Sequence, residues 1–167
     1  HAPYPTEWAE LEQIPEDCPN IVGVYLDQGD LDPESVEATG EGWWRVSLSG
    51  YLGLGQGTRT TTHVEISQPN PSDIEVTTWE EDVLLAQKTY SRQNGDYECE
   101  SGFVKIDTSG GWFAGSEVMG YERGALLFRK STDGALIMQS ASSGFGVVLL
   151  IIPAATDQQL WYRFEPK

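Results

Sequence analysis

Residues 62–79 read THVEISQPNPSDIEVTTW. Val64 and Ile66 alternate with His63 and Glu65, and Ile74 and Val76 alternate with Glu75 and Thr77. A period of two is the pattern of a half-buried β-strand. Between the two runs lies Gln68-Pro69-Asn70-Pro71-Ser72, whose residues favour chain reversal over continued strand. The stretch therefore predicts an antiparallel hairpin with Val64 and Ile66 against Ile74 and Val76 on the core side. His63, the one histidine away from the terminus, shares parity with Glu65 and is expected to face solvent.

The same period recurs on either side. Ile21–Asp27 (IVGVYLD) reads as a first strand and residues 43–49 (WWRVSLS) as another, with an acidic, turn-rich linker over 28–42 between them. The glycine-rich residues 50–58 (GYLGLGQGT) read as a hairpin loop or bulged strand. They lack the lysine of a phosphate-binding loop. Residues 82–90 read as strand from their context and 103–107 (FVKID) from their alternation. Ser109-Gly110-Gly111 reads as a turn, and 112–122 as a weaker strand. Ser131-Thr132-Asp133-Gly134 is a specific hairpin signal between 125–129 and 135–139. Val147–Pro153 (VVLLIIP) reads as a fully buried central strand, and Leu160–Phe164 (LWYRF) closes the chain. About eight to ten strands with no helical repeat between them predict an all-β fold, an antiparallel meander barrel or barrel-like sandwich. A short N-terminal arm over 1–17, in which Trp8 and Leu11 fall at helical spacing, precedes a single domain over 18–167.

Charge is distributed unevenly. Ahead of Arg45, the first base, stand eleven carboxylates, so the first 44 residues hold −11 of a net −16. Such a surface repels nucleic-acid phosphates and anionic lipid and attracts cationic proteins or metal ions. Lysine and arginine number 10 in all, too few for a nucleic-acid binder. The longest apolar run falls far short of the roughly 20 residues of a membrane-spanning helix. The chain opens at His1 without a signal-peptide pattern, so a leader would have been cleaved or lies outside this sequence.

Cys18 and Cys99 have two readings: separate buried thiols in a cytosolic protein, or a disulfide in an exported one. Their polar, turn-like settings, PEDCPN and DYECESG, favour the disulfide. It would close a loop of about 80 residues and contribute roughly 4 kcal/mol. Lys88 and Arg92 precede Cys99 at a distance and no base lies near Cys18, which argues against a reactive thiolate.

Chemistry-bearing constellations are sparse. No Gly-x-Ser-x-Gly elbow is present, and one interior histidine with two separated cysteines makes a zinc site an unsuitable reading. Asp27, Asp30, Asp32 and Glu34 fall within eight residues, and with Glu41 they partly match a calcium loop. Ser35 stands where that loop needs glycine, and a solvated acidic loop is the preferred reading. No cofactor is expected. Asp27, Asp30, Asp32, Glu34, Glu37 and Glu41, with the adjacent Trp43 and Trp44, are the candidate contacts for a cationic partner.

CPNIVGVYLD, DYECESGFVKI, RKSTDGALIMQ and the closing LWYRF together resemble a family of small exported bacterial lipoproteins, which implies a periplasmic or secreted protein and no assigned chemistry. Gly23 and Tyr25 of the first strand with Arg163 of the last are similar to the signature of lipocalin and calycin barrels, with tyrosine in place of tryptophan. That likeness implies a closed barrel with a pocket for a small apolar ligand. Tyr97-Glu98-Cys99 with Gly102 is similar to a short motif of periplasmic lysozyme inhibitors, small acidic barrels that meet a cationic enzyme. The leading expectation is an exported, non-enzymatic binding protein, an inhibitor or immunity-type partner of a cationic protein. A lipocalin-like carrier and a carboxylate-dependent glycosidase are the alternatives. Oligomeric state is not readable from the sequence.

Overall fold

The computed structural model describes residues 3–13, 18–33, 45–55, 60–114, 118–148 and 152–167. Eleven strands are assigned among them: β1 (Gly23–Leu26), β2 (Gln28–Leu31), β3 (Arg45–Ser47), β4 (His63–Asn70), β5 (Asp73–Glu80), β6 (Val83–Ser91), β7 (Glu98–Glu100), β8 (Phe103–Ala114), β9 (Val118–Lys130), β10 (Leu136–Val148) and β11 (Ile152–Phe164). One short helical turn, α1 (Leu48–Tyr51), follows β3. All pairings are antiparallel. The strands form a four-stranded sheet ordered β1-β4-β5-β6 and a seven-stranded sheet ordered β3-β2-β11-β10-β9-β8-β7. The all-β expectation holds, and the architecture is two sheets over one core. Among the described residues the ladders end on β1 and β6 and on β3 and β7 and do not close into a barrel.

The β4–β5 hairpin forms as its alternation predicts, with Ile66 opposite Val76 and Val64, Ile66, Ile74 and Val76 all buried. From the large sheet Val104, Leu126, Phe128, Leu136, Met138, Tyr162 and Phe164 meet them in one cluster. The chain crosses between sheets at Asp27, so β1 and β2 are consecutive in sequence yet lie in different layers. At that crossing Gly23 has a physical role: a Cβ there would lie 2.7 Å from the Tyr25 hydroxyl, which folds back to donate to the Ile21 carbonyl at 2.9 Å.

Cys18 and Cys99 are disulfide-bonded, with Cα atoms 5.3 Å apart and a sequence separation of 81. Cys99 sits in the tight β7–β8 hairpin, where Ser101 and Gly102 both take positive φ (51° and 81°), the geometry of a type I′ turn. The arm over 3–13 makes a turn near Thr6 and Glu7 and is otherwise extended. Leu11 bridges Ser131, the Glu12 amide donates to the Lys130 carbonyl at 2.9 Å, and Tyr4 packs edge-on against Trp161. Among the described residues no helix is long and apolar enough to cross a membrane.

Four expectations are corrected. Ser109-Gly110-Gly111 is a bulge inside β8 and not a turn, because the register shifts between Thr108 and Gly111 while the strand continues to Ala114. Residues 43–49 do not form one strand, since β3 gives way to α1 at Leu48. The glycine-rich segment is more than a loop: Leu52 and Leu54 are buried in the core. Val147–Pro153 is not a central strand either. β10 ends at Val148 and β11 begins at Ile152, and those two residues pair, so the apolar run straddles a hairpin tip.

Candidate functional site

α1 is built by a carboxylate. Ser47 is its N-cap, accepting from the Gly50 amide at 3.0 Å. The Ser47 hydroxyl donates to Asp27 Oδ2 at 2.8 Å and the Ser49 amide to Asp27 Oδ1 at 2.7 Å. The Leu48 amide completes the grip on the Asp27 backbone carbonyl at 2.9 Å. A buried carboxylate is tolerated when donors converge on it, and Asp27, 5% exposed, has them. Gly53 ends the turn at φ +69°.

This turn presents Tyr51 and Leu52 over the large sheet. Two adjoining cavities of about 450 and 490 Å³ open there and share Tyr51, Thr108 and Leu126. The floor is made of short side chains on β8, β9 and β10: Thr108, Gly124, Ser140 and Ser142. Large core residues stop at Ile106 and Leu126, so the sheets separate where the side chains become small. The facing wall comes from β6 and α1. There Tyr90 is buried, its hydroxyl donating to the Leu52 carbonyl at 3.3 Å, and the Lys88 ammonium lies 4.6 Å from the Tyr90 ring centre. Tyr51 and Tyr162 hydroxyls meet at 2.8 Å. Burial, reinforced by Tyr51, holds the Tyr162 phenol well above its usual range, so it stays protonated.

Four ionisable residues other than tyrosines border the two cavities, Asp96, Asp107, Glu122 and Lys88, and the Asp107 carboxylate lies 4.0 Å from the Lys105 ammonium. The cleft is therefore net negative, with its one cation held over an aromatic face. Its size suits a side chain or short segment of a partner.

The residues expected to bind a partner distribute differently. Asp27 and Asp32 are buried and Asp30 is exposed, paired in register with Arg45 and Arg163. Glu34, Glu37, Glu41, Trp43 and Trp44 lie outside the described residues. Asp27 thus shapes the cleft lip from within and is not on the surface. The acids beside the disulfide are partly neutralised: Lys105 reaches Glu98 at 2.7 Å and Glu100 at 3.0 Å. The hydrogen bond from Lys105 lowers the Glu98 carboxyl, and Glu98 and Glu100 raise the Lys105 ammonium. Arg163 forms ion pairs with Asp133 and Glu165.

His63 is a further correction, being 8% exposed. Its ring stacks on Trp79 at 6.2 Å, and the Lys167 ammonium lies 3.0 Å from Nδ1. Burial, then that ammonium, holds the imidazole below its usual value, consistent with a neutral ring accepting at Nδ1. Among the described residues no group of three His, Cys, Asp or Glu could hold a metal ion.

The cleft was not legible in advance because its parts come from α1, β6, β8, β9 and β10. The one available signal was the run of small residues Ser140-Ala141-Ser142-Ser143-Gly144 inside an otherwise apolar strand. Comparison with known proteins gives no match: no family model, no curated protein and no solved structure matches this chain.

Proposed function

We propose that this chain is an exported, non-enzymatic binding protein whose cleft between the sheets receives a basic side chain or loop of a cationic protein. The observation that carries the reading is the lining: Asp96, Asp107 and Glu122 against Lys88 within the cleft and Lys105 beside Asp107, in an open cleft on a chain of net charge −16. The field of the whole chain would steer a cationic partner, and the cleft carboxylates would orient it. Asp30 and the acids of the 34–41 segment would add to the steering. The disulfide supports an oxidising compartment, periplasmic or secreted. An inhibitor or immunity-type role is in keeping with all three features.

A carrier of small apolar ligands is less well supported. Tyr25, Phe128, Phe164 and Met138 fill the space between the sheets, and the cavities that remain are open and partly polar. Calorimetric titration with lysozyme and with an arginine-rich peptide tests the proposal. Binding should weaken roughly tenfold or more between about 20 and about 300 mM salt. Asp107→Asn with Glu122→Gln should weaken it further at low salt. Affinity indifferent to salt and to this double substitution would overturn the reading.

A further inference from the structure

Edges of the two sheets come together at two seams, one closed and one open. On the β1 side the chain closes the seam with its own backbone. Beyond β11, the Glu165 carbonyl accepts from the Leu26 amide at 2.8 Å, the Lys167 amide donates to the Val24 carbonyl at 2.9 Å, and Pro166 bridges Tyr25. On the other side β6 ends the small sheet and β7 ends the large one. β7 covers only Phe103–Lys105 of the twelve-residue β8, so from Ile106 onward the outer edge of β8 has no ladder partner among the described residues. The cavity of about 490 Å³ lies in this open seam, with Lys88 and Tyr90 of β6 on one side and Ile106, Asp107 and Thr108 of β8 on the other.

The alternation of an antiparallel ladder tells which backbone groups point into the open seam. The Ser91 amide donates to Asp96 Oδ2 at 2.9 Å and the Ser91 carbonyl accepts from the Asp96 amide at 3.0 Å, while the Arg92 amide turns back to the Ser72 carbonyl at 2.8 Å. Ser91 therefore faces away from β5. Register with β5 is unbroken from Ser91 to Ala86, so the amides and carbonyls of Thr89 and Gln87 face away from it too. On β8 the two-residue turn makes Glu100 and Phe103 a hydrogen-bonded pair. Phe103 and Lys105 thus face β7, and Asp107 faces the same way past its end. The backbone groups of Gln87, Thr89 and Asp107 lie on the open seam without a backbone partner among the described residues.

We infer that the open seam takes an extended segment of the cationic partner as a strand added antiparallel to β6, hydrogen-bonded to Gln87 and Thr89. The inference rests on the function proposed above and specifies what the cleft recognises. An edge with outward N–H and C=O groups is complementary to an extended backbone, and an extended backbone is what fills the closed seam. Side-chain parity sets the sequence pattern. On β6 Tyr90 is buried and Lys88 lies over its ring, so added residues opposite these two point into the cavity, towards Leu52, Ile106 and Leu126. A base there would meet Lys88, and an apolar residue fits. Residues opposite Gln87 and Thr89 exchange hydrogen bonds with them and point to the outer face. Asp107 is exposed on that face, and the exposed Glu81 and Asp82 precede β6, so bases fit. The recognised segment therefore alternates apolar and basic residues. Val83 and Leu84, each 50% exposed just beyond the bulge at Leu85, extend the apolar surface offered to it. A second copy of this chain is a poor occupant, since it would bring −16 against −16.

Titration of the intact protein with a peptide alternating valine and arginine, followed by amide hydrogen exchange, tests the inference. With peptide in excess the Gln87 and Thr89 amides should exchange at least roughly tenfold more slowly, while the Lys88 and Tyr90 amides, already bonded to β5, change little. The same peptide N-methylated at its arginines keeps its charge and loses the donors that face β6. It should bind at least roughly tenfold more weakly. Equal binding of the two peptides, with exchange at Gln87 and Thr89 unaltered, would overturn strand addition and leave recognition of a cationic partner standing. Absence of binding by these peptides and by lysozyme alike at low salt would overturn both. Slow exchange of the same amides without peptide, together with a dimer in sedimentation, would overturn the added partner strand and assign the seam to contact between copies.

Discussion

The four long strands β8 to β11 are each two different structures end to end. In their half nearest the β9–β10 turn, Val104, Phe128, Met138 and Tyr162 lie in one register row, and each is 3% exposed or less. In their far half Tyr121, Phe145 and Ala155, which lie in one register row, are all exposed, Phe145 to 63%. Backbone pairing is continuous across both halves but for the bulge at Thr108 and Gly111, so hydrogen bonding does not distinguish them. What differs is whether a second sheet lies opposite. Stability is thus concentrated where two layers meet.

The largest expected contrast comes from one residue type placed in each half. Phe128→Ala should cost about 3–5 kcal/mol, by lost burial and the cavity left behind. Phe145→Ala should stay within about 0.5 kcal/mol, because its ring is already in water. Urea denaturation measures both, and equal costs would break the division. The next effect belongs to the disulfide. Replacing Cys18 and Cys99 with serine should cost about 2–4 kcal/mol, since the bridge closes an 81-residue separation at β7, beside the covered half of β8. Hydrogen exchange should then accelerate in the two-layered half, with the amides of the distal rows changing little.

The sequence makes the covered half easy to read and the uncovered half hard. Val64, Ile66, Ile74 and Val76 show a period of two because one face of their sheet meets the core while Glu65 and Glu75 on the other are only partly covered, and the turn residues between them fix the register. Asp133-Gly134 likewise announces the β9–β10 hairpin, with Gly134 at φ +87°. Val147–Pro153 misleads because a continuous apolar run fits a strand buried on both faces as well as it fits the paired ends of two strands. The ladder that pairs Leu136 with Phe164 and Val148 with Ile152 is what settles its place, and that pairing is long-range. Asp27 misleads for a similar reason. Its partners Ser47 and Ser49 are 20 and 22 residues away, so an interior carboxylate looks like one more member of an acidic surface. The two cysteines were readable because a tie needs only two residues and a compatible setting.

Asp27 gives the third contrast, one between a carboxylate that builds and carboxylates that bind. Asp27→Ala leaves the Ser49 amide and the Ser47 hydroxyl without their acceptor, at a cost of about 1–3 kcal/mol. It should also weaken cationic-partner binding by releasing Tyr51 and Leu52 from the cleft lip. Glu122→Gln should weaken binding while leaving the urea midpoint unchanged. Loss of stability in both variants, or in neither, would erase the distinction.

The smallest expected effect lies at the covered end, where Arg163 donates to Asp133 at 2.7 and 3.3 Å and the Ser131 hydroxyl donates at 2.5 Å. These bonds, that from Arg163 foremost, hold the Asp133 carboxyl down at about 2, against 3.8 in the unfolded chain. Between those values the unfolded chain binds more protons than the folded one, so stability rises with pH there. The contribution is complete above about 3.8 and is lost as pH falls towards 2. Because the Asp133 side chain is 42% exposed, solvent screens the pair and its worth is under about 1 kcal/mol. Asp133→Asn should therefore lower Tm slightly at neutral pH and flatten the acid limb between pH 4 and 2, where the parent loses ground. His63 titrates elsewhere. Its imidazole is held below 6.5, so its contribution is complete above 6.5 and falls away below it, and the two limbs are separable in one pH series of melting curves. An acid limb unchanged in Asp133→Asn would assign the low-pH loss to carboxylates outside the Arg163 contact.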